Sequence, residues 1–413
     1  MITRIAMTAF VGISTTAYAS PPHSEDRALG MLYGSVIGDA AGGPVEFQSA
    51  EAMRDADTPV RQWTEDERLE TENIAAYGDG LRLVAYAPMR PEAEPYGQWI
   101  AEAPAGTATD DTRVKLILMR ALEQAAEGEP LTEADLARQF LRHSRPAAWE
   151  SPGAELASEW LEEIAFAARW ELGRRELAVA RPPERLWGGI GTVLGQMVMP
   201  PIAAVRPGDP EAGYIDAYRL AFFDNADARD LNAACVAGIA AAMSIEPDSD
   251  DLMAAWERVE RAMRETDPYG YGDVPWVARS VDLWLRWAED AVERADRRPA
   301  VLRRLIEDEL PKRTWWEAHV PFVMAASAIR MTEAHPAAAV RMCLDLGWDT
   351  DSTAQLAGAW LGALHGAEVW PAEMRTTVDD RLHEEYGERV GAWAKNLRTL
   401  RAQWRDRPLA AER

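Results

Sequence analysis

Basic runs are missing from this chain. Its 413 residues hold 44 Lys and Arg against 68 Asp and Glu, a formal net charge of −24, so phosphate backbones and anionic membranes are repelled at long range. Cysteine is nearly absent. Cys235 and Cys343 stand far apart, each in an apolar stretch of helical character, which excludes a disulfide framework and points to buried thiols that act as small hydrophobes. No CxxC or Cys/His cluster suggests zinc, and the 6 histidines are scattered without HExxH or HxH spacing. No GxSxG elbow offers a serine nucleophile. Beyond the first residues no stretch approaches the ~20 apolar residues of a membrane span, and no alternating run or Asn-Gly hairpin signal marks a strand.

What is there is a globular composition, 47% apolar and 27% charged, long enough for one large core or two domains. Past residue 26 apolar residues recur with helical period, as at Val114, Ile117/Leu118, Ala121/Leu122 and Ala125. Similar faces are read over 27–47, 132–143, 154–172, 212–222, 228–244, 250–264, 275–293, 318–331, 334–345, 352–364 and 378–405. An all-α fold follows. Two passages break the rhythm: 48–108, rich in Pro and Gly and expected to be an insertion or lid, and 181–213, with Pro182-Pro183, Gly188-Gly189 and Pro200-Pro201.

The N-terminus carries Arg4, a mostly apolar IAMTAFVGISTT segment and the small-x-small pattern Ala17-Tyr18-Ala19. That pattern is expected of a secretory signal peptide, residues 1–19, which would send residues 20–413 to the periplasm or beyond.

Three segments depart from ordinary helix composition. The first is Gly34-Ser35-Val36-Ile37-Gly38-Asp39-Ala40-Ala41-Gly42-Gly43-Pro44-Val45-Glu46, the second Thr109-Asp110-Asp111-Thr112, the third Asp349-Thr350-Asp351-Ser352-Thr353. Gly34, Gly38 and Gly42 are spaced by four, and Ala354, Gly358, Gly362 and Gly366 repeat the spacing. Interior glycine costs about 0.5–1 kcal/mol per position against Ala, so a line of them asks for close backbone packing. If the two stripes meet, Asp39, Glu46, Asp349 and Asp351 come together. Thr109-Asp110-Asp111-Thr112 and Asp349-Thr350-Asp351-Ser352 each precede a helix, where capping explains one oxygen-bearing residue and the helix dipole welcomes another. A calcium loop of the EF-hand kind is excluded, because Ala354 and Trp360 occupy the positions that need Gly and a carboxylate. Together the segments offer Asp110, Asp111, Asp349 and Asp351 with the hydroxyls of Thr109 and Ser352, an all-oxygen set suited to hard cations. Four crowded carboxylates are neutralised by two divalent ions, so a dinuclear centre is expected.

In order and register these segments resemble those of the ADP-ribosylglycohydrolase family. Its G-D-x-x-G…E, T-D-D-T and D-x-D-T…G-A-x-x-G patterns match Gly38-Asp39-Ala40-Ala41-Gly42…Glu46, Thr109-Asp110-Asp111-Thr112, and Asp349-Thr350-Asp351-Ser352 leading to Gly358-Ala359 and Gly362-Ala363. The resemblance spans about residues 27–370 and implies a single large orthogonal all-α bundle with two Mg²⁺ or Mn²⁺ ions. It also implies that Thr109, Asp110, Asp111, Asp349, Asp351 and Ser352 are ligands, with Glu46 over the ribose as acid or base and Asp351 as a further catalytic residue. Asp39 and Trp348 are expected on the substrate side, Asp39 also hydrogen-bonding helix ends. The implied activity is metal-dependent cleavage of a glycosidic bond in an ADP-ribosyl or related ribosyl compound, small or protein-linked, with no nucleic-acid partner. An exported glycosidase for non-nucleotide carbohydrate and a non-catalytic ligand-binding relative are the alternatives.

Departures accompany the matches. Ser352 replaces the usual Thr, and Trp348 replaces a Gly. The middle motif is matched only loosely by Gly195-Gln196-Met197-Val198-Met199-Pro200-Pro201, without its Arg. Phe223-Asp224-Asn225-Ala226-Asp227 stands near the expected histidine segment. Of the 17 tryptophans, Trp149, Trp160, Trp170, Trp187, Trp315 and Trp316 are candidate sugar platforms, while most are expected in the core.

Overall fold

The computed structural model describes residues 23–47, 60–85, 103–125, 128–144, 162–247, 251–404 and 407–410. The expected signal peptide lies outside them. Helices follow one another: α1 Ser24–Gly42, α2 Ile74–Gly78, α3 Asp110–Ala125, α4 Glu133–His143, α5 Glu162–Glu171, α6 Leu194–Val198, α7 Pro200–Val205, α8 Pro210–Leu220 and α9 Ala226–Ala242. They continue with α10 Leu252–Glu265, α11 Ser280–Ala295, α12 Pro299–Glu309, α13 His319–Met331, α14 Pro336–Leu346, α15 Thr350–His365, α16 Ala372–Tyr386 and α17 Val390–Trp404. Among the described residues there is no strand; isolated bridges join Leu131 to Ala410 and Thr192 to Glu317. The all-α bundle expected is the one observed, and no described helix is long and apolar enough to cross a membrane.

The axis of the bundle is the antiparallel pair α1 and α15. A Cβ on Gly34 would stand 2.1 Å from the Gly358 carbonyl oxygen, one on Gly38 2.3 Å from that of Ala354, one on Gly42 2.4 Å from the Asp351 amide nitrogen, and one on Gly362 2.0 Å from the Gly30 carbonyl oxygen. The two stripes therefore meet backbone to backbone. Both helices are buried almost all round, as expected of central helices. Trp370 Nε1 donates to the Gly30 carbonyl (2.9 Å) and Thr350 Oγ1 to that of Gly42 (2.8 Å), which fixes the sliding of one helix on the other.

Around this pair α9, α10 and α13 pack through Trp256, Phe322 and Trp360. The Trp360 ring lies 5.4 Å from Trp256 and 5.7 Å from Phe322, and its Nε1 donates to the Cys235 carbonyl (3.2 Å). Both cysteines are buried and unbridged. Two enclosed ion pairs tie distant segments. Arg279 holds Asp230 at 2.5 Å, and Arg206 holds Asp216 at 2.6 Å while donating to the Trp404 and Arg407 carbonyls.

Some boundaries differ from those read in the sequence. The face at 378–405 is two helices, broken where Gly387 takes φ 72. Within the Pro-rich passage 181–213, α6 and α7 are helical, Pro200 opening α7 at a position where its missing N–H does no harm. Pro299 opens α12 in the same way. Of the 48–108 segment, residues 60–85 pack against α14: Leu69, Ile74, Tyr77 and Leu81 are buried, and the Asp345 carboxylate accepts from the Arg61 amide, Trp63 Nε1 and Tyr77 Oη at 2.6–2.7 Å. Residues 48–59 and 86–102 lie outside the described residues.

Candidate active site

The glycine contact brings the first and third motifs to one point. Gly42 lies against Asp351, and the Phe47 amide donates to the Trp348 carbonyl (2.8 Å), so the turn carrying Glu46 sits beside the start of α15. The second motif arrives on α3. Asp39, 0% exposed, receives the Thr109 amide (2.9 Å), Thr109 Oγ1 (2.6 Å), the Thr112 amide (3.0 Å) and Thr112 Oγ1. Asp39 thus caps α3 from another helix.

Two acidic triads result. One carboxylate oxygen from each of Glu46, Asp349 and Asp351 lies within 4.8 Å of the others, and the same holds for Asp110, Asp111 and Asp351. Asp351 belongs to both. Thr109 Oγ1 is 2.8 Å from Asp351 Oδ2, and Ser352 Oγ donates to Asp111 Oδ2 at 3.2 Å. Asp349 stands at the N-cap of α15, yet its side chain caps nothing, and its Oδ2 is buried without a hydrogen-bond partner, as is Asp111 Oδ1. Capping therefore does not account for these two acids. Orphaned carboxylate oxygens in an all-oxygen set fit hard divalent cations.

The electrostatics agree with that fit. Burial first, and then the Asp351 charge, pushes Asp110 up to about 8 and holds Asp111, Asp349 and Glu46 well above the usual carboxylate range. Asp351 itself is raised to about 6 by burial and then by Asp39. Glu46 keeps part of its surface on the cavity, but protein packs closely around the carboxyl and desolvates it. Acids this crowded ionise together only with cations among them.

The triads floor a cavity walled by Phe47, Trp187, Val193, Leu194, Met197 and Trp316. Phe47 and Trp316 meet edge to face with ring centroids 6.4 Å apart. Phe47 and Trp187 hold left-handed φ of 48 and 49, a conformation that costs about 1–3 kcal/mol and gathers at functional sites.

Two substrate-side expectations need correction. Trp348 does not line the cavity: its own φ of 68 turns the ring away, where it stacks on Trp315 at 4.0 Å and donates Nε1 to Glu307 (3.0 Å). Asp39 has no face toward a substrate, because both oxygens are taken up at the start of α3; the helix-end role is the one it fills. Among the tryptophan candidates, Trp187 and Trp316 are in the wall, Trp170 stacks under Arg175 away from it, and Trp149 and Trp160 lie outside the described residues. Phe47, Val193, Leu194 and Met197 carry no motif that singles them out in sequence. Asp224, from the segment expected to hold a histidine, is buried, accepts from Asn232 Nδ2 (2.8 Å) and is raised to about 7 by its burial.

The site is thus five acidic residues gathered on the floor of an aromatic cavity where α1, α3 and α15 of an all-helical bundle meet. A family model described as ADP-ribosylglycohydrolase matches residues 20–407. The chain belongs to the ADP-ribosylglycohydrolase family. It is thereby an enzyme of the glycoside hydrolase type, in a family that is typically metal-dependent. One solved structure, titled "ADP-ribosylglycohydrolase-related protein complex", is similar over 92% of this chain and 99% of its own at 17% identity and a TM-score of 0.51, a likeness of fold. No curated protein matches the chain.

Proposed function

We propose that this chain hydrolyses a glycosidic bond of an ADP-ribosyl or related ribosyl compound at a dinuclear Mg²⁺ or Mn²⁺ centre. The observation that carries the reading is the pair of acidic triads joined by Asp351. Asp110, Asp111, Asp349 and Asp351 would hold the two ions, with the Thr109 and Ser352 hydroxyls within reach of their aspartate neighbours, and Glu46, beside Asp349 and Asp351, would be left to carry a proton. When bound, such ions orient a sugar diol and lower the pKa of a water molecule.

The rest is done by the protein. Asp39 pins the first turn of α3, so Thr109, Asp110 and Asp111 keep one geometry. Glu46 borders the cavity with its proton held by burial, the condition a general acid needs to protonate the atom leaving the anomeric carbon. Phe47, Trp187 and Trp316 shed water from the reacting centre and offer faces to a ring.

Titrating the metal-free protein with Mn²⁺ and then ADP-ribose tests the reading. It expects two-site metal binding followed by ligand binding, and loss of hydrolysis in Asp351→Asn without loss of fold. Undiminished turnover by Asp351→Asn would overturn it.

A second reading draws on the wall itself. Among the described lining residues there is no Arg or Lys to receive a diphosphate, which favours a glycoside with a neutral aglycone. Hydrolysis of uncharged glycosides with none of ADP-ribosyl compounds would select it. We also propose export, on the pattern of residues 1–19; the intact mass of protein made in its host, with or without those residues, decides.

A further inference from the structure

Of the 44 cationic residues only Lys115, Lys312 and Lys395 are lysines; the remainder are arginines. Lys115 lies on α3 one turn beyond Asp111 and is 0% exposed. Its Nζ donates to Ser35 Oγ (2.6 Å) and to Gln355 Oε1 (3.2 Å), between α1 and α15 at the level just below the acidic triads. Ser35 in turn stands one turn before Asp39 on α1. Burial lowers the pKa of this ammonium, and the charges that counter the burial are Asp39 from α1 and Asp111 from its own helix. The other neighbours are neutral: Ser35, Gln355 and, through Gln355 Nε2, the Gln196 carbonyl oxygen on α6 (3.0 Å).

We propose that Lys115 is a resident cation of the acidic centre, a positioning residue that offsets Asp39 and thereby sets how tightly the centre holds divalent ions. The proposal rests on the reading that the triads bind such ions. Asp39 is the one clustered carboxylate that an ion in the cavity does not reach, since Thr109 and Thr112 occupy both its oxygens. Those oxygens accept the Thr109 and Thr112 amides and lie within reach of both threonine hydroxyls, so the side chain is committed to the start of α3. The compact ammonium supplies the counter-charge from beneath, where the fork of an arginine would have to fit three converging helices. Arg113, on the same helix, acts on Asp110 and bonds Tyr386 Oη (2.5 Å).

A fixed positive charge near the centre has two opposed effects. It steadies the metal-free fold against the mutual repulsion of the carboxylates, and it repels the incoming ions. Lys115→Met and Lys115→Gln remove the charge, the second keeping a hydrogen-bonding end. Each is expected to bind Mn²⁺ at least about tenfold more tightly by calorimetry, the scale of one unit charge a turn or two away at an effective dielectric constant of ~20. Each is also expected to melt lower than the parent without metal, the gap narrowing when Mn²⁺ is saturating. Ser35→Ala, which keeps the charge, is expected to leave Mn²⁺ affinity unchanged. Equal or weaker Mn²⁺ binding in the folded neutral variants overturns the proposal. Because those variants could fail to fold, the unmodified metal-free protein labelled with ε-¹⁵N-lysine gives a separate reading. Its three Nζ signals are assigned with Lys312→Arg and Lys395→Arg, and Lys115 is expected as an ammonium at pH 7; a neutral amine there overturns the proposal. Absence of Mn²⁺ binding by the unmodified protein would instead fail the dinuclear reading, and the lysine spectrum and metal-free melting would still decide whether Lys115 serves Asp39.

Discussion

Replacing Gly34 by alanine is expected to unfold the molecule more easily, although alanine is the better helix former. The gain in helix propensity is about 1 kcal/mol. Against it stand three contacts of the new Cβ: 2.1 Å to the Gly358 carbonyl oxygen, 2.6 Å to the Gly358 carbonyl carbon and 2.7 Å to Trp370 Cζ2. The first two are backbone, so no rotamer change relieves them, and α1 must lift from α15 by more than an ångström to restore an ordinary separation. Overpacking of this kind reaches about 3 kcal/mol, which leaves a net loss of about 2 kcal/mol. Urea unfolding followed by circular dichroism reads this as a lower midpoint at unchanged slope. Gly391→Ala is the control: that glycine lies near the start of α17 with nothing within 4 Å of its Cβ position, so the same exchange is expected to stabilise by up to about 1 kcal/mol. A Gly34→Ala protein as stable as its parent would refute the backbone contact, and with it the reason why Glu46 and Asp351 are neighbours.

Four further outcomes are expected. Divalent metal should raise the melting temperature, at 100 times its Kd by the equivalent of about 2.7 kcal/mol, and Asp351→Asn should abolish most of that gain in a calorimetric scan. Glu46→Gln should lower turnover by about 10²–10⁴-fold, the range of a lost general acid, in a metal-loaded and folded protein; undiminished turnover would remove Glu46 from the chemistry. Trp348→Ala should lose the stack on Trp315 and some stability while leaving Mn²⁺ affinity unaltered, and a change in that affinity would contradict the outward ring. Asp345 gives a dependence on pH away from the centre: burial raises its carboxyl to about 6 against three donated hydrogen bonds. The folded chain therefore holds that proton where the unfolded chain has lost it, and stability should fall as pH rises from about 4 to about 6, by about 3 kcal/mol in all. In Asp345→Asn the slope over that range should flatten, and an identical slope would show that Asp345 is not raised.

Much of the centre was legible because its chemistry is local in sequence. Aspartates beside hydroxyls at two helix starts, and glycines every fourth residue, depend only on spacing, and the structure puts both where spacing implies. The wall was not legible, since it is made by ordinary residues whose direction is set elsewhere. Trp348 was expected to face the substrate, but its left-handed backbone after Gly347, itself at φ 81, sends the ring outward, and Phe47 turns in for the same kind of reason. Leu194 and Met197 read as part of a Pro-rich loop, although Pro200-Pro201 marks a helix start rather than the absence of helix. Gly387 was hidden inside a continuous apolar period, and only its φ of 72 reveals the break.

The join between α1 and α15 also has a consequence in time. Gly42 and Thr350 are hydrogen-bonded partners 308 positions apart in the chain. At the usual ~5–20 residues per second of synthesis, α1 waits roughly 15–60 s before the strip it fits has been made. During that wait its glycine face has no partner, and Glu46 and Asp39 have no Asp351 beside them. Both acidic triads are therefore complete only in the finished chain, and a ribosome that stops before α15 releases a product with half a centre and an uncovered helix.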